Sequence, residues 1–158
     1  MTLYSHESSG LSITTESNIA ATKLVQGIDS FNRWRIDMMA YIDAAIENDP
    51  NCVMAHTLKG LALVGGRNNR FAPMIADCLT QAKAHAANTS TREQDYVKVL
   101  EAISNNRIHN AVVVLEAMLN NHPIDLLAHR LVQQELFWNG EARWMRDIAA
   151  RAMPAWSS

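Results

Sequence analysis

The stretch Asn48-Asp49-Pro50-Asn51-Cys52-Val53-Met54-Ala55-His56 is answered further along by Asn121-His122-Pro123-Ile124-Asp125-Leu126-Leu127-Ala128-His129. Asn, Pro, Ala and His coincide, and Met54 pairs with Leu127. The copies lie 73 residues apart. Half of that is close to the ~34-residue period of the tetratricopeptide repeat, a helical hairpin that stacks on copies of itself. A small insertion, expected at residues 65–70, accounts for the excess. Ala111, Leu115, Met118 and Pro123 occupy the small, large, small and proline positions of such a repeat's second helix. The match is degenerate, because Met118 replaces the usual alanine and no copy carries the Trp-Leu-Gly-Tyr pattern of the first helix. The plainer alternative is an irregular helical bundle with a chance internal match.

Working outward, apolar residues recur at helical spacing along the chain. Ala21, Leu24, Val25, Ile28 and Phe31 mark a first helix over 17–32. Trp34, Met38, Tyr41, Ile42 and Ala45 mark a second over 34–48, stopped at Asp49-Pro50. A third covers 52–64 and is expected to end on Gly65-Gly66 through glycine's tolerance of the left-handed conformation. A fourth spans 71–87, with Pro73 tolerated in its first turn. Ser90-Thr91-Arg92-Glu93 is a capping box that opens a fifth, to about Ser104. Three more cover 108–121, 125–138 and 141–153, the last stopped by Pro154. Short connections make neighbours antiparallel. The fold class is therefore all-α: a tetratricopeptide-like superhelix of seven or eight antiparallel helices. Residues 1–14 read as a polar tail, 15–158 as the helical-repeat domain, and no sheet is expected.

Composition bounds the function. The chain has 158 residues, enough for one domain with a real core. Its net charge of −2, from 14 basic and 16 acidic residues, lacks the basic footprint of a nucleic-acid binder. No run approaches the ~18 apolar residues of a membrane span, and Met1 to Thr15 has neither the basic nor the apolar region of a signal peptide. Two cysteines, Cys52 and Cys78, make no disulfide framework and fit a reducing, cytoplasmic setting.

Five stretches together carry a resemblance. They are Gly10-Leu11-Ser12-Ile13-Thr14-Thr15-Glu16-Ser17-Asn18, Asp49 to His56, Thr91-Arg92-Glu93-Gln94, His122 to Ala128, and Arg146-Asp147-Ile148-Ala149-Ala150-Arg151 before Pro154-Ala155-Trp156. In this order and spacing the chain resembles the tetratricopeptide repeat protein 38 family over almost its whole length. Members of that family are much longer, so the resemblance implies that the chain matches their N-terminal part. It implies a fold and no reaction.

The chemistry-bearing residues each have a plain structural reading. His56 and His129 recur at equivalent places, as a ligand pair or general base would, but recurrence with the repeat fits a packing role better. Cys52 and His56 share a helix face, which is half a metal site, and no second pair completes it. A Cys–His nucleophile lacks a group to orient the histidine. Gly65-Gly66-Arg67 lacks the Gly-Lys-Ser/Thr ending of a phosphate loop. Arg143, Arg146 and Arg151 read as a solvated face. No metal, cofactor or catalytic residue is expected.

The architecture itself predicts a concave groove. Counting from the repeat prolines puts Thr57, Leu61, Tyr96, Leu100, Arg130, Gln134 and Phe137 on it, facing a protein or peptide partner. The eighth helix ends in apolar residues with nothing left to cover them, so Trp144 and Trp156 are expected to mediate self-association, most simply as a two-fold dimer. The function expected is an interaction module without catalysis. The alternative is the N-terminal part of an enzyme or small-molecule-binding protein whose site lies outside or at the edge of this segment.

Overall fold

The computed structural model describes residues 2–5 and 12–156. Eight α-helices occur among them: α1 (Asn18–Asn32), α2 (Met38–Asn48), α3 (Val53–Gly65), α4 (Ala72–His85), α5 (Thr91–Ser104), α6 (Ile108–Asn121), α7 (Leu126–Trp138) and α8 (Ala142–Trp156). They pack as four consecutive hairpins, α1–α2, α3–α4, α5–α6 and α7–α8, with α2 against α3, α4 against α5 and α6 against α7 at the joins. Pro50 and Pro123 both sit in turns between hairpins. His56 Nε2 donates to the Pro50 carbonyl at 2.8 Å, and His129 Nε2 donates to the Pro123 carbonyl at 2.9 Å. The recurring histidine thus closes a recurring turn, as its packing reading requires.

The 73-residue offset extends beyond the matched sequence. It relates the N-cap Ser17 of α1 to Ser90 of α5, and it superposes the bounds of α3 on those of α7. The predicted insertion lies in the α3–α4 turn, where residues 66–71 include a short 3-10 segment, Asn69–Phe71. The equivalent α7–α8 turn has only residues 139–141.

Within each hairpin the turn is made by one residue at positive φ: Trp34 (57°), Arg67 (46°), Asn106 (57°) and Gly140 (74°). In the first, third and fourth turns the next two amides close back on the helix, such as Trp34 N to Phe31 O and Arg35 N to Ser30 O, forming Schellman caps. Two expectations are corrected here. Trp34 does not belong to the second helix, which begins at Met38. Nor is either glycine of the 65–66 pair left-handed; Arg67 takes that conformation. Gly65 instead lies against the Gln134 side chain, where an added Cβ would stand 3.3 Å from Nε2.

Pro154 does not stop the eighth helix, which continues to Trp156. Proline removes one amide near a helix end, and the Trp156 indole fastens the last turn by donating to the Pro123 carbonyl at 3.1 Å.

The N-terminal region departs most from the sequence reading. Ser12–Thr15 (β2) pairs antiparallel with Thr2–Ser5 (β1), in the register Thr2 to Thr15 and Ser5 to Ser12. This two-stranded ribbon replaces the expected absence of any sheet, and β2 is no tail: Ile13, Thr14 and Thr15 are buried against α1 and α3. The part of the expected tail at 6–11, with Gly10 and Leu11 of the family-like stretch, lies outside the described residues.

The core is centred on α3, where Met54, Ala55, Leu58 and Leu61 meet Leu24, Ile42, Tyr96, Leu100, Leu115 and Leu131 from five other helices, while Val53 packs with Ala82 and Val97 in a smaller cluster. Each fully buried leucine contributes about 1.5–3 kcal/mol. α1 also touches α7, so the inner helices close on one another instead of leaving an open trough.

Candidate binding site

Under β2, the N-terminal ends of α3, α5 and α7 converge on a set of buried charges. Glu93 completes the capping box of α5 through Ser90 and also accepts from the Thr14 amide (2.8 Å) and hydroxyl (2.6 Å). Asp49 accepts from the Thr15 hydroxyl and from the Glu16 and Asn51 amides, both at 3.0 Å. Burial pushes the Asp49 carboxyl up, but these hydrogen bonds outweigh it and hold the group below the usual carboxylate range. Arg92 Nε donates to Asp125 at 2.7 Å, and its guanidinium lies 5.2 Å from the Tyr96 ring centroid. The partners in this cluster come from segments 33 to 79 residues apart, so no local motif announces it. These carboxylates are closed under β2 and matched by donors, which makes the cluster a fastening for the ribbon.

The Cys–His alternative fails on geometry. Cys52 is fully buried, and burial pushes its thiol up to about 11, which leaves it protonated at neutral pH. His56 Nε2 is already engaged at Pro50. Among the described residues, no three His, Cys, Asp or Glu side chains are placed to hold a metal ion.

At the opposite ends of the inner helices the surface opens. A pocket of about 400 Å³ is lined by Phe31, Trp34, Ile36, Met38, Arg130 and Gln134, with Gly65 and Gly66 on its wall. Arg130 reaches out from α7, and its guanidinium carbon lies 4.1 Å from the Phe31 ring centroid and 3.9 Å from that of Trp34. Its Nε is buried without a hydrogen-bond acceptor. Burial alone acts on its pKa, downward, with no carboxylate raising it. Trp34 is 77% exposed and Ile36 fully exposed, so the mouth is apolar.

A second cleft, of about 430 Å³, lies on the other side of α7 between the α3–α4 and α5–α6 turns. Its floor carries Glu135, buried and paired with the half-exposed Arg67 at 3.2 Å. Burial pushes the Glu135 carboxyl above its ordinary value despite Arg67.

The predicted groove residues therefore separate. Thr57, Leu61, Tyr96 and Leu100 are core residues, at most 1% exposed, and face no groove. Inward-facing positions became core once α1 closed on α7. Arg130 and Gln134 do line a pocket together. Phe137 is 63% exposed and lies against Trp138, with ring centroids 5.3 Å apart. Trp34 was missed as a pocket residue because its apolar character was assigned to the second helix. Its one sequence cue is that it interrupts Arg33 and Arg35 directly after the first helix. Trp144 of α8 is half-buried against α6, where it donates to Glu116 at 3.1 Å and stands beside His109, whereas Trp156 remains 52% exposed.

No helix among the described residues is long and apolar enough to cross a membrane. No family model matches the chain, and no solved structure matches it.

Proposed function

We propose that this chain is a helical-repeat interaction module, related to the N-terminal part of the tetratricopeptide repeat protein 38 family, that holds a peptide segment of a partner protein. The hairpins stack in the manner of a tetratricopeptide superhelix, tightly enough that binding moves from the filled inner face to the turn ends. The module works in the cytoplasm and does no chemistry of its own. One observation carries this reading: Arg130, without a carboxylate partner, stands between Phe31 and the exposed Trp34 at the mouth of an apolar pocket. Trp and Arg are the side chains most often found as binding anchors.

The test is a synthetic peptide library with free C termini, probed with the wild-type chain and with Arg130→Ala and Trp34→Ala. Sequences that bind the wild type and lose at least tenfold in both variants support the module. A library with no binder, or binders indifferent to both substitutions, refutes it. The cleft above Glu135 favours a second reading, a small-molecule pocket. Binders lost in Glu135→Ala and retained in Arg130→Ala would select it.

A further inference from the structure

Four arginines with carboxylate partners show what Arg130 lacks. Arg33 pairs with Asp29 at 2.8 Å, and Arg35, on the rim of the same pocket, takes Asp37 with two bonds of 3.2 and 2.8 Å. Arg67 has Glu135, and Arg92 has Asp125. Arg130 has two aromatic rings and no anion. Those rings engage the faces of the guanidinium, whereas its N–H donors point outward in its plane. The two rings hold the guanidinium between them, and none of its N–H groups has an acceptor among the described residues. A part-buried cation whose Nε meets no acceptor is under-satisfied in the free protein.

We infer that the pocket beside Arg130 receives a carboxylate carried on an apolar body, with Arg130 taking the carboxylate and Trp34, Ile36 and Met38 enclosing the body. This rests on the same pocket as the proposed function but makes a separate claim about the ligand's charge. A planar carboxylate matches the planar fork with two parallel hydrogen bonds. Gln134 supplies an amide beside it. A phosphate dianion fits less well, because Arg35, the nearest second cation on the rim, is neutralised by Asp37. A pocket of about 400 Å³ holds a body the size of an arylalkanoic acid or a terminal dipeptide. Two sources share this chemistry, a free organic acid and the C terminus of a peptide.

The test compares acids with their amides. The probes are 4-phenylbutyrate and its amide, and an acetylated tetrapeptide ending in Phe, as free acid and as amide. Binding is read by the Arg130 Nε–H resonance in a nitrogen-15 spectrum and by tryptophan fluorescence. At least one acid should bind the wild type about tenfold tighter than its amide. Arg130→Gln, which keeps a shorter stem and one NH2 donor group but no charge, should bring acid and amide within about twofold while the helical circular dichroism is unchanged. Discrimination confined to phenylbutyrate identifies a small-acid site and goes against the peptide module; confined to the tetrapeptide, it identifies a C-terminus receptor. Equal binding of acid and amide by the wild type overturns the inference, even where both peptides bind and the module stands. So does discrimination that survives Arg130→Gln.

Discussion

Removing Arg92 should cost more than removing any exposed charge, because of what it leaves behind. Asp125 is 1% exposed, and its carboxylate has one close cationic partner, Arg92 Nε at 2.7 Å, besides the long 3.3 Å contact by which it caps α7 at Ala128. Arg92→Ala strands that carboxylate in the interior. Breaking one side of a buried pair typically costs about 3–5 kcal/mol. Against the ~5–15 kcal/mol of a whole domain, this is a third or more of the stability. The paired substitution Arg92→Met with Asp125→Asn removes both charges, keeps an apolar stem over Tyr96 and keeps an oxygen to cap α7. It should recover all but about 1–2 kcal/mol, since uncharged replacements of buried pairs are often near neutral. Urea unfolding followed by circular dichroism is measured for the parent, Arg92→Met, Asp125→Asn and the double variant, the four corners of the cycle, and for Arg92→Ala beside them. A loss below about 1 kcal/mol in Arg92→Ala would refute the reasoning, as would a double variant as unstable as the sum of the singles.

Other outcomes follow from the same groups. Glu135 has a folded-state pKa raised by burial, so ionising it costs stability. Relative to Glu135→Gln, the parent should lose stability as pH rises from about 4.3, the unfolded value, through the raised folded value; parallel stability–pH curves would contradict this. Asp49 has the opposite sign, with its folded pKa lowered. Its contribution is fully present above about 3.9 and is lost as pH falls through the folded value, so Asp49→Asn should be less stable than the parent at neutral pH and converge with it in acid. A deficit that persists unchanged in acid would show that hydrogen-bond geometry, not charge, matters there. Light scattering coupled to size exclusion at tens of micromolar should find a dimer that Trp156→Gln weakens without loss of helicity; a strict monomer would rule out association through that end.

The helices were legible because their signals are local. Ser90 to Glu93 specifies a capping box within four residues, and Pro50 and Pro123 announce the turns they occupy. What escaped were features whose cause lies elsewhere in the chain. Ser12 to Thr14 look like tail because two of the three residues are polar; Thr14 and the adjoining Thr15 are buried because Glu93 and Asp49, far along the sequence, accept from them. Trp34 looks like the start of a helix because no glycine marks the left-handed turn it makes. The groove is misplaced for a third reason: the angle between successive hairpins decides whether Thr57 and Tyr96 face solvent or are buried, and single residue types do not encode that angle.

The ribbon also sets an order of events during synthesis. Thr14 is made well before its acceptor: Glu93 is added 79 positions later. At about 5–20 residues per second, the strand waits on the order of ten seconds for its last acceptor. For that interval the first hairpins can form, but the carboxylate that closes them does not yet exist. Thr14 is therefore held at its final place only after α1 to α4 have been made, and a stall anywhere before α5 would leave the strand without that acceptor.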